Sequence, residues 1–279
     1  MRKVIVFDLD ETLRSIETSI NDKNLKVVLR PKLTELLKKL EEVKKDGVDS
    51  VIYTSASKKS VERYFLDKLP AEYRNVFKKI ITREVLIEPK EKTRENYLYR
   101  RNTNKMVTAL TDDDNYDYDE ILFFDDNRTE YQYLEELYDE KLDTKFPVPE
   151  KNVTFVSLPF YPRKEVEMYA LKELAKENET RENSELSTKI REYFNLMIQE
   201  PGCRIMTEII DDFVSKENKK GLVDINGTEE FDIYEEKLRK TYCDIDDIID
   251  NDPTLGDKYR DYEDEYFSKM EEPDLRELF

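Results

Sequence analysis

Three short polar elements, each at the end of an apolar run, hold the residues of this 279-residue chain best suited to chemistry. Asp8-Leu9-Asp10-Glu11-Thr12 follows Val4–Phe7, Thr54-Ser55 follows Val51–Tyr53, and Asp125-Asp126 follows Ile121–Phe124. Carboxylates gathered in one cleft repel one another unless a cation sits among them. An all-oxygen ligand set selects Mg²⁺ over softer metals. Beside such a cation a carboxylate is a competent nucleophile toward phosphorus, because the phosphoryl oxygens are neutralised. On this reading Asp8 attacks and forms an aspartyl-phosphate. Asp10 protonates the leaving oxygen and then activates the water that hydrolyses the intermediate. The Thr54 hydroxyl hydrogen-bonds the transferring group, and a lysine supplies it with positive charge.

For these elements to meet, the runs before them must be neighbouring parallel strands, whose carboxyl ends open onto one crevice. The pattern agrees. Val4–Phe7, Val51–Tyr53, the weaker Ile80-Ile81, Ile121–Phe124 and Val153–Val156 read as buried strands. Between the first two, Pro31 opens a helical stripe of Leu33, Leu36, Leu37, Leu40 and Val43, stopped by Gly47. Ser57 is placed to cap the next helix. Beyond Pro159-Phe160-Tyr161-Pro162 the pattern turns helical, over about 163–178, 184–199, 204–219, 229–241 and 258–270.

Composition narrows the chemistry further. There is no histidine, which removes Ser-His-Asp and Cys-His catalysis and every histidine metal site. The five glycines form no Gly-rich loop, which argues against a P-loop or a dinucleotide fingerprint. Cys203 and Cys243 have no metal-type spacing and suit a reducing cytoplasmic or nuclear setting. No apolar run approaches the ~20 residues of a membrane span. Of the net charge of −18, residues 161–279 carry −15, with 18 basic residues against 33 acidic ones. That surface repels nucleic acid phosphates and favours solubility or a basic protein partner.

The motifs carry a resemblance. Asp8-Leu9-Asp10-Glu11-Thr12-Leu13 resembles the first motif of the haloacid-dehalogenase-like (HAD) superfamily. Glu11, where many members have Gly, is similar to the branch of RNA polymerase II C-terminal-domain and NLI-interacting-factor-like phosphatases. Val28-Leu29-Arg30-Pro31-Lys32-Leu33, Ile52-Tyr53-Thr54-Ser55-Ala56-Ser57 and Phe124-Asp125-Asp126-Asn127 resemble further elements of that branch, in the same order. The resemblance covers about residues 1–160. It implies a three-layer HAD-like α/β domain with a Rossmannoid parallel sheet there, and leaves 161–279 as a helical acidic accessory region. It implies metal contacts from Asp8, the main-chain carbonyl of Asp10, and Asp125 or Asp126, with a lean to Asp126. It also implies an active-site lysine, for which Lys105 is the best match, with Lys90 and Lys92 as competitors.

The expected activity is thus Mg²⁺-dependent hydrolysis of a phosphomonoester, with phosphoserine or phosphothreonine in protein as substrate. Two alternatives stand beside it: a nucleotide or nucleic acid 3′-phosphatase, and a non-catalytic HAD-fold scaffold gripping a basic partner. Arg128 departs from the branch, which usually has a small residue and proline there. Residues 78–105 hold nine basic residues and four acidic ones, either a solvated surface or a landing strip for an acidic or phosphorylated substrate. The acidic run from Asp244 to Asp252 lacks the glycine a calcium loop needs at its sixth position.

Overall fold

The computed structural model of the protein describes residues 2–18, 25–82, 118–127, 138–139, 144–145, 152–159, 165–178, 185–216, 221–225 and 228–269. Strands β1 (Lys3–Phe7), β2 (Arg14–Thr18) and β3 (Leu25–Leu29) come first, then helix α1 (Leu33–Lys45) and β4 (Asp49–Tyr53). Helix α2 (Lys58–Tyr64), β5 (Lys79–Ile81), β6 (Glu120–Asp125), β7 (Tyr138–Asp139), β8 (Thr144–Lys145) and β9 (Asn152–Ser157) follow. Next are α3 (Glu165–Asn178), α4 (Glu185–Ile198), α5 (Gly202–Ser215), β10 (Gly221–Asp224), α6 (Glu229–Asn251) and α7 (Pro253–Lys269).

The described residues form a parallel sheet in the order β10-β9-β6-β1-β4-β5, which makes the fold the expected α/β type. β1 is central, and Val4, Ile5, Val6 and Phe7 are all fully buried, as a strand covered on both faces requires. Successive side chains point to opposite faces. Ile5, Phe7, Ile52, Leu122 and Phe124 therefore join one cluster with the α1 leucines. Val4, Val6, Val51, Tyr53, Ile121 and Phe123 join a second one on the other face. α1 stops where Gly47 takes φ of 82°, a left-handed turn. β2 and β3 pair as an antiparallel hairpin, which the sequence reading did not anticipate.

Two features lie beyond residue 160. First, β10 and α5 pack with the sheet. β10 pairs with β9, Gly221 level with Thr154 and Asp224 with Ser157, and so extends the sheet. Cys203, Met206, Ile210 and Phe213 of α5 enter the same cluster as the α1 leucines. The Lys3 ammonium donates to the carbonyls of Phe213 (2.7 Å) and Lys216 (2.8 Å), tying β1 to the end of α5. Lys39 of α1 pairs with Asp211 of α5. Burial pushes the Cys203 thiol up to about 12.

Second, α6 runs ten residues past the expected end at 241. The acidic run from Asp244 to Asp250 belongs to this helix. Ile245 and Ile249, spaced i and i+4, bury one face of the helix while the aspartates occupy the rest. These isoleucines close a separate cluster with Leu171 and Leu174 of α3 and Leu186, Ile190 and Tyr193 of α4. The region is helical as expected, apart from β10.

Candidate active site

The register of the sheet places the site. β1 lies between β4 and β6, Phe7 level with Ile52 and Phe124, so the segments after all three strands leave the same edge together. The Asp8 N–H extends the ladder to the Phe124 carbonyl at 2.8 Å. Asp8 is 6% exposed and Asp125 is fully buried. One carboxylate oxygen from each of Asp8, Asp125 and Asp126 lies within 4.8 Å of the others.

Buried carboxylates this close are costly without a compensating cation. Their all-oxygen donor set fits Mg²⁺. Two hydrogen bonds orient the pair at the end of β6. Asp125 accepts from the Asn127 N–H at 2.8 Å, and Asp126 accepts from the Thr12 hydroxyl at 3.3 Å.

Thr54 directly follows β4 and is fully buried. Its N–H donates to the Ile81 carbonyl at 2.9 Å, which fixes the main chain. Its hydroxyl oxygen accepts from the Ala56 N–H at 3.1 Å, leaving the O–H able to donate elsewhere. Ser57 caps α2 as expected, accepting from the Ser60 N–H at 3.2 Å.

Asp10 stands apart from the three converging carboxylates. Its side chain, 40% exposed, pairs with the fully buried guanidinium of Arg14 (Nε to Oδ1, 2.9 Å). Arg14 also donates from Nη1 to the Ser60 carbonyl and from Nη2 to the Ser60 hydroxyl, both at 3.0 Å. The arginine thus hangs Asp10 from the start of α2. Between them the chain turns tightly. Glu11 takes φ of 60°, and the Leu13 N–H donates to the Leu9 carbonyl at 2.9 Å. A left-handed conformation is costly for a residue with a Cβ, which is the physical reason glycine suits this position.

The family model for NLI interacting factor-like phosphatase matches residues 3–138. This segment is similar to an NLI interacting factor-like phosphatase domain. Its HAD-type phosphatase fold agrees with the strand order and with the acidic cluster at the strand ends. No curated protein matches the chain. The phosphatase domain takes in β1 to β6, and β9 and β10, beyond its matched span, widen its sheet.

Of the residues expected in the site, the structure brings Asp8, Asp125 and Asp126 together. It sets Thr54 on the adjacent strand end, and Asp10 on Arg14. Lys105 and its competitors Lys90 and Lys92 lie outside the described residues, as does Arg128. Arg14 was missed. Its only sequence signal is a place four residues after Asp10, and such spacing carries meaning in a helix, not in this loop.

Proposed function

We propose that the domain is a Mg²⁺-dependent phosphomonoesterase working through an aspartyl-phosphate on Asp8, with phosphoserine or phosphothreonine in protein as substrate. The convergence of Asp8, Asp125 and Asp126 at the end of the central strands carries this reading. Asp8 and Asp126 would hold the metal through side chains and Asp10 through its main-chain carbonyl, with Asp125 backing the pair. Mg²⁺, when bound, neutralises charge on the phosphoryl oxygens.

A carboxylate oxygen of Asp8 attacks phosphorus, and the bond to the leaving oxygen breaks. Asp10 gives that oxygen its proton. Water then attacks phosphorus of the aspartyl-phosphate, passes a proton back to Asp10, and frees phosphate and Asp8. The partial exposure of Asp10 leaves it reachable by a leaving group and by water. Thr54 and Lys105 are assigned to the phosphoryl oxygens.

Turnover of an aryl phosphate, with and without Mg²⁺, tests the chemistry. Asp8→Asn should lower kcat by at least about 10³-fold, since an amide does not attack phosphorus. Loss of less than tenfold refutes the nucleophile. For Asp10→Asn, formation of the intermediate should suffer less with an aryl than with an alkyl ester, because a low-pKa leaving group needs less acid help. A panel of phosphopeptides, nucleotides and 3′-phosphorylated oligonucleotides decides the substrate. A wild-type protein that binds Mg²⁺ yet turns over none of them favours the scaffold reading.

A basic protein partner for the acidic region completes the proposal. An open groove of about 520 Å³ on α3, α4 and α6 has Tyr193 and Tyr234 among its walls. Asp232, Glu235 and Glu236 line it, with Arg239 the one basic residue among its described walls. Aromatic faces beside carboxylates suit Lys or Arg side chains. A Lys/Leu peptide should bind there, with an affinity that falls as salt rises. Undiminished binding to Glu235→Lys/Glu236→Lys protein would place such a peptide elsewhere.

A further inference from the structure

We infer that Glu200, at the turn between α4 and α5, is a positioning residue for the catalytic loop, acting through Arg30. This inference rests on the phosphatase reading above and names a part of the site that lies 62 residues beyond the matched domain's end at 138.

Arg30 and Glu200 are both about 2% exposed. The guanidinium Nη2 meets Glu200 Oε1 at 2.7 Å, and Nε lies 3.2 Å from both carboxylate oxygens. The same guanidinium spends its remaining donors on main chain: Nη1 on the Thr12 carbonyl at 3.0 Å and Nη2 on the Pro159 carbonyl at 3.3 Å. The Thr12 hydroxyl in turn donates to Asp126 of the acidic cluster. A continuous route therefore runs from Glu200 through Arg30 and Thr12 to Asp126. At Pro159 it also grips the chain just beyond β9.

The loop needs such a grip. Glu11 and Lys32 are the non-glycine residues with positive φ among the described residues, at 60° and 59°. One precedes Thr12 and the other lies two residues after Arg30. Strained backbone persists where surrounding contacts over-determine it. Arg30 bonds the Thr12 carbonyl beside the first strained residue, and its own N–H donates to the Leu13 carbonyl at 2.9 Å. Glu200 balances the charge that makes this arginine tolerable in the interior.

Gly202 shows how closely the pair is fitted. A Cβ there would lie 2.6 Å from Arg30 Nε, 2.8 Å from its Cζ and 2.6 Å from Glu200 Oε1. Glycine at 202 leaves room for the ion pair, and a single methyl group would push it aside. Gly202→Ala thus probes the same route by displacing the pair, whereas Glu200→Gln removes the charge and keeps the shape.

The experiment measures Mg²⁺ affinity by calorimetry and kcat on an aryl phosphate, for wild-type protein, Glu200→Gln, Gly202→Ala and Ile245→Ala. Ile245 sits in the separate helical cluster and serves as a control for general destabilisation. Both probes of the route should weaken Mg²⁺ affinity and lower kcat, by about 10–100-fold, the usual cost of losing a partner that orients metal ligands. Ile245→Ala should leave both unchanged at a temperature where it is folded. If Glu200→Gln does not fold, Gly202→Ala decides alone.

Wild-type values in the folded probes overturn the inference while the phosphatase reading stands. Equal losses in Ile245→Ala overturn it too, since the effect would then be general. A wild-type protein with neither metal binding nor turnover sinks the phosphatase reading itself, and this inference with it.

Discussion

The two halves of the acidic C-terminal stretch look alike in composition and are held quite differently. α5, β10 and the start of α6 are fused to the sheet. Met206, Ile210, Phe213, Ile225 and Phe231 share a core with Phe7 and Phe124. α3, α4 and the far end of α6 instead bury their apolar faces against one another, around Leu171, Ile190 and Ile245. The first group completes the phosphatase sheet, and the second forms a core of its own. Acidity therefore says nothing about which helices belong to the catalytic unit. What decides is whether the apolar face meets the sheet.

Cutting the chain is the harshest way to test this contrast. A chain ending at residue 160 loses β10, α5 and Glu200 at once. It exposes the α1 leucines and leaves Arg30 buried without its carboxylate. It should fail to fold, giving no cooperative thermal transition by circular dichroism. A folded and active 1–160 fragment would show that the sheet stands without α5 and β10.

Cavity substitutions separate the halves more gently. Met206→Ala and Ile190→Ala each remove a fully buried side chain, so each should cost about 2–5 kcal/mol in denaturant unfolding. Only Met206→Ala, on the helix next to Glu200, should also lower turnover. Equal turnover in both would mean the sheet tolerates a loosened α5.

Thiol labelling offers a finer reading of the same difference. Cys203 is buried in the first turn of α5 and Cys243 is exposed on α6. Native protein should react with one equivalent of a thiol reagent promptly, and Met206→Ala should speed the second. Two fast equivalents in wild-type protein would show α5 to be loosely held.

The smallest effect concerns an exposed pair inside the second core. Lys189 of α4 donates to Asp244 of α6 at 2.7 Å. That hydrogen bond holds the Asp244 carboxyl below its usual 3.8 and raises Lys189 above 10.5. A lowered carboxylate contributes stability above its ordinary value and loses it as pH falls through the lowered one. A raised lysine contributes below its ordinary value and loses it as pH rises through the raised one. The pair should hold steady between about pH 4 and 10 and fade outside that window. Asp244→Asn should shift Tm less than either cavity substitution, and turnover not at all.

Much of the sheet and the acidic cluster was legible in the sequence, because buried parallel strands leave continuous apolar runs and their polar ends stand out. Asp8, Asp125 and Asp126 were found that way. β10 was not: Gly221–Asp224 is four residues long, and an edge strand of that length leaves no periodic signal. The end of α6 was set near 241 because the aspartates at 244, 246, 247 and 250 interrupt the apolar stripe, while Ile245 and Ile249 carry the buried face on to Asn251. Arg14 and Glu200 were invisible for a different reason. Each matters through a partner that the fold supplies, Arg30 lying 170 positions from Glu200.

The state of Cys203 bears on how this phosphatase meets oxidants. Peroxide inactivates thiol-based phosphatases by reaching a thiolate, and susceptibility follows thiolate character and exposure. In the mechanism proposed above the nucleophile is a carboxylate. The thiol nearest the Arg30–Glu200 pair is buried and held protonated up to about 12. Cys243, the exposed one, sits on α6 in a stretch whose isoleucines pack in the separate core. Signals that silence cysteine-dependent phosphatases by oxidation should therefore leave this one working.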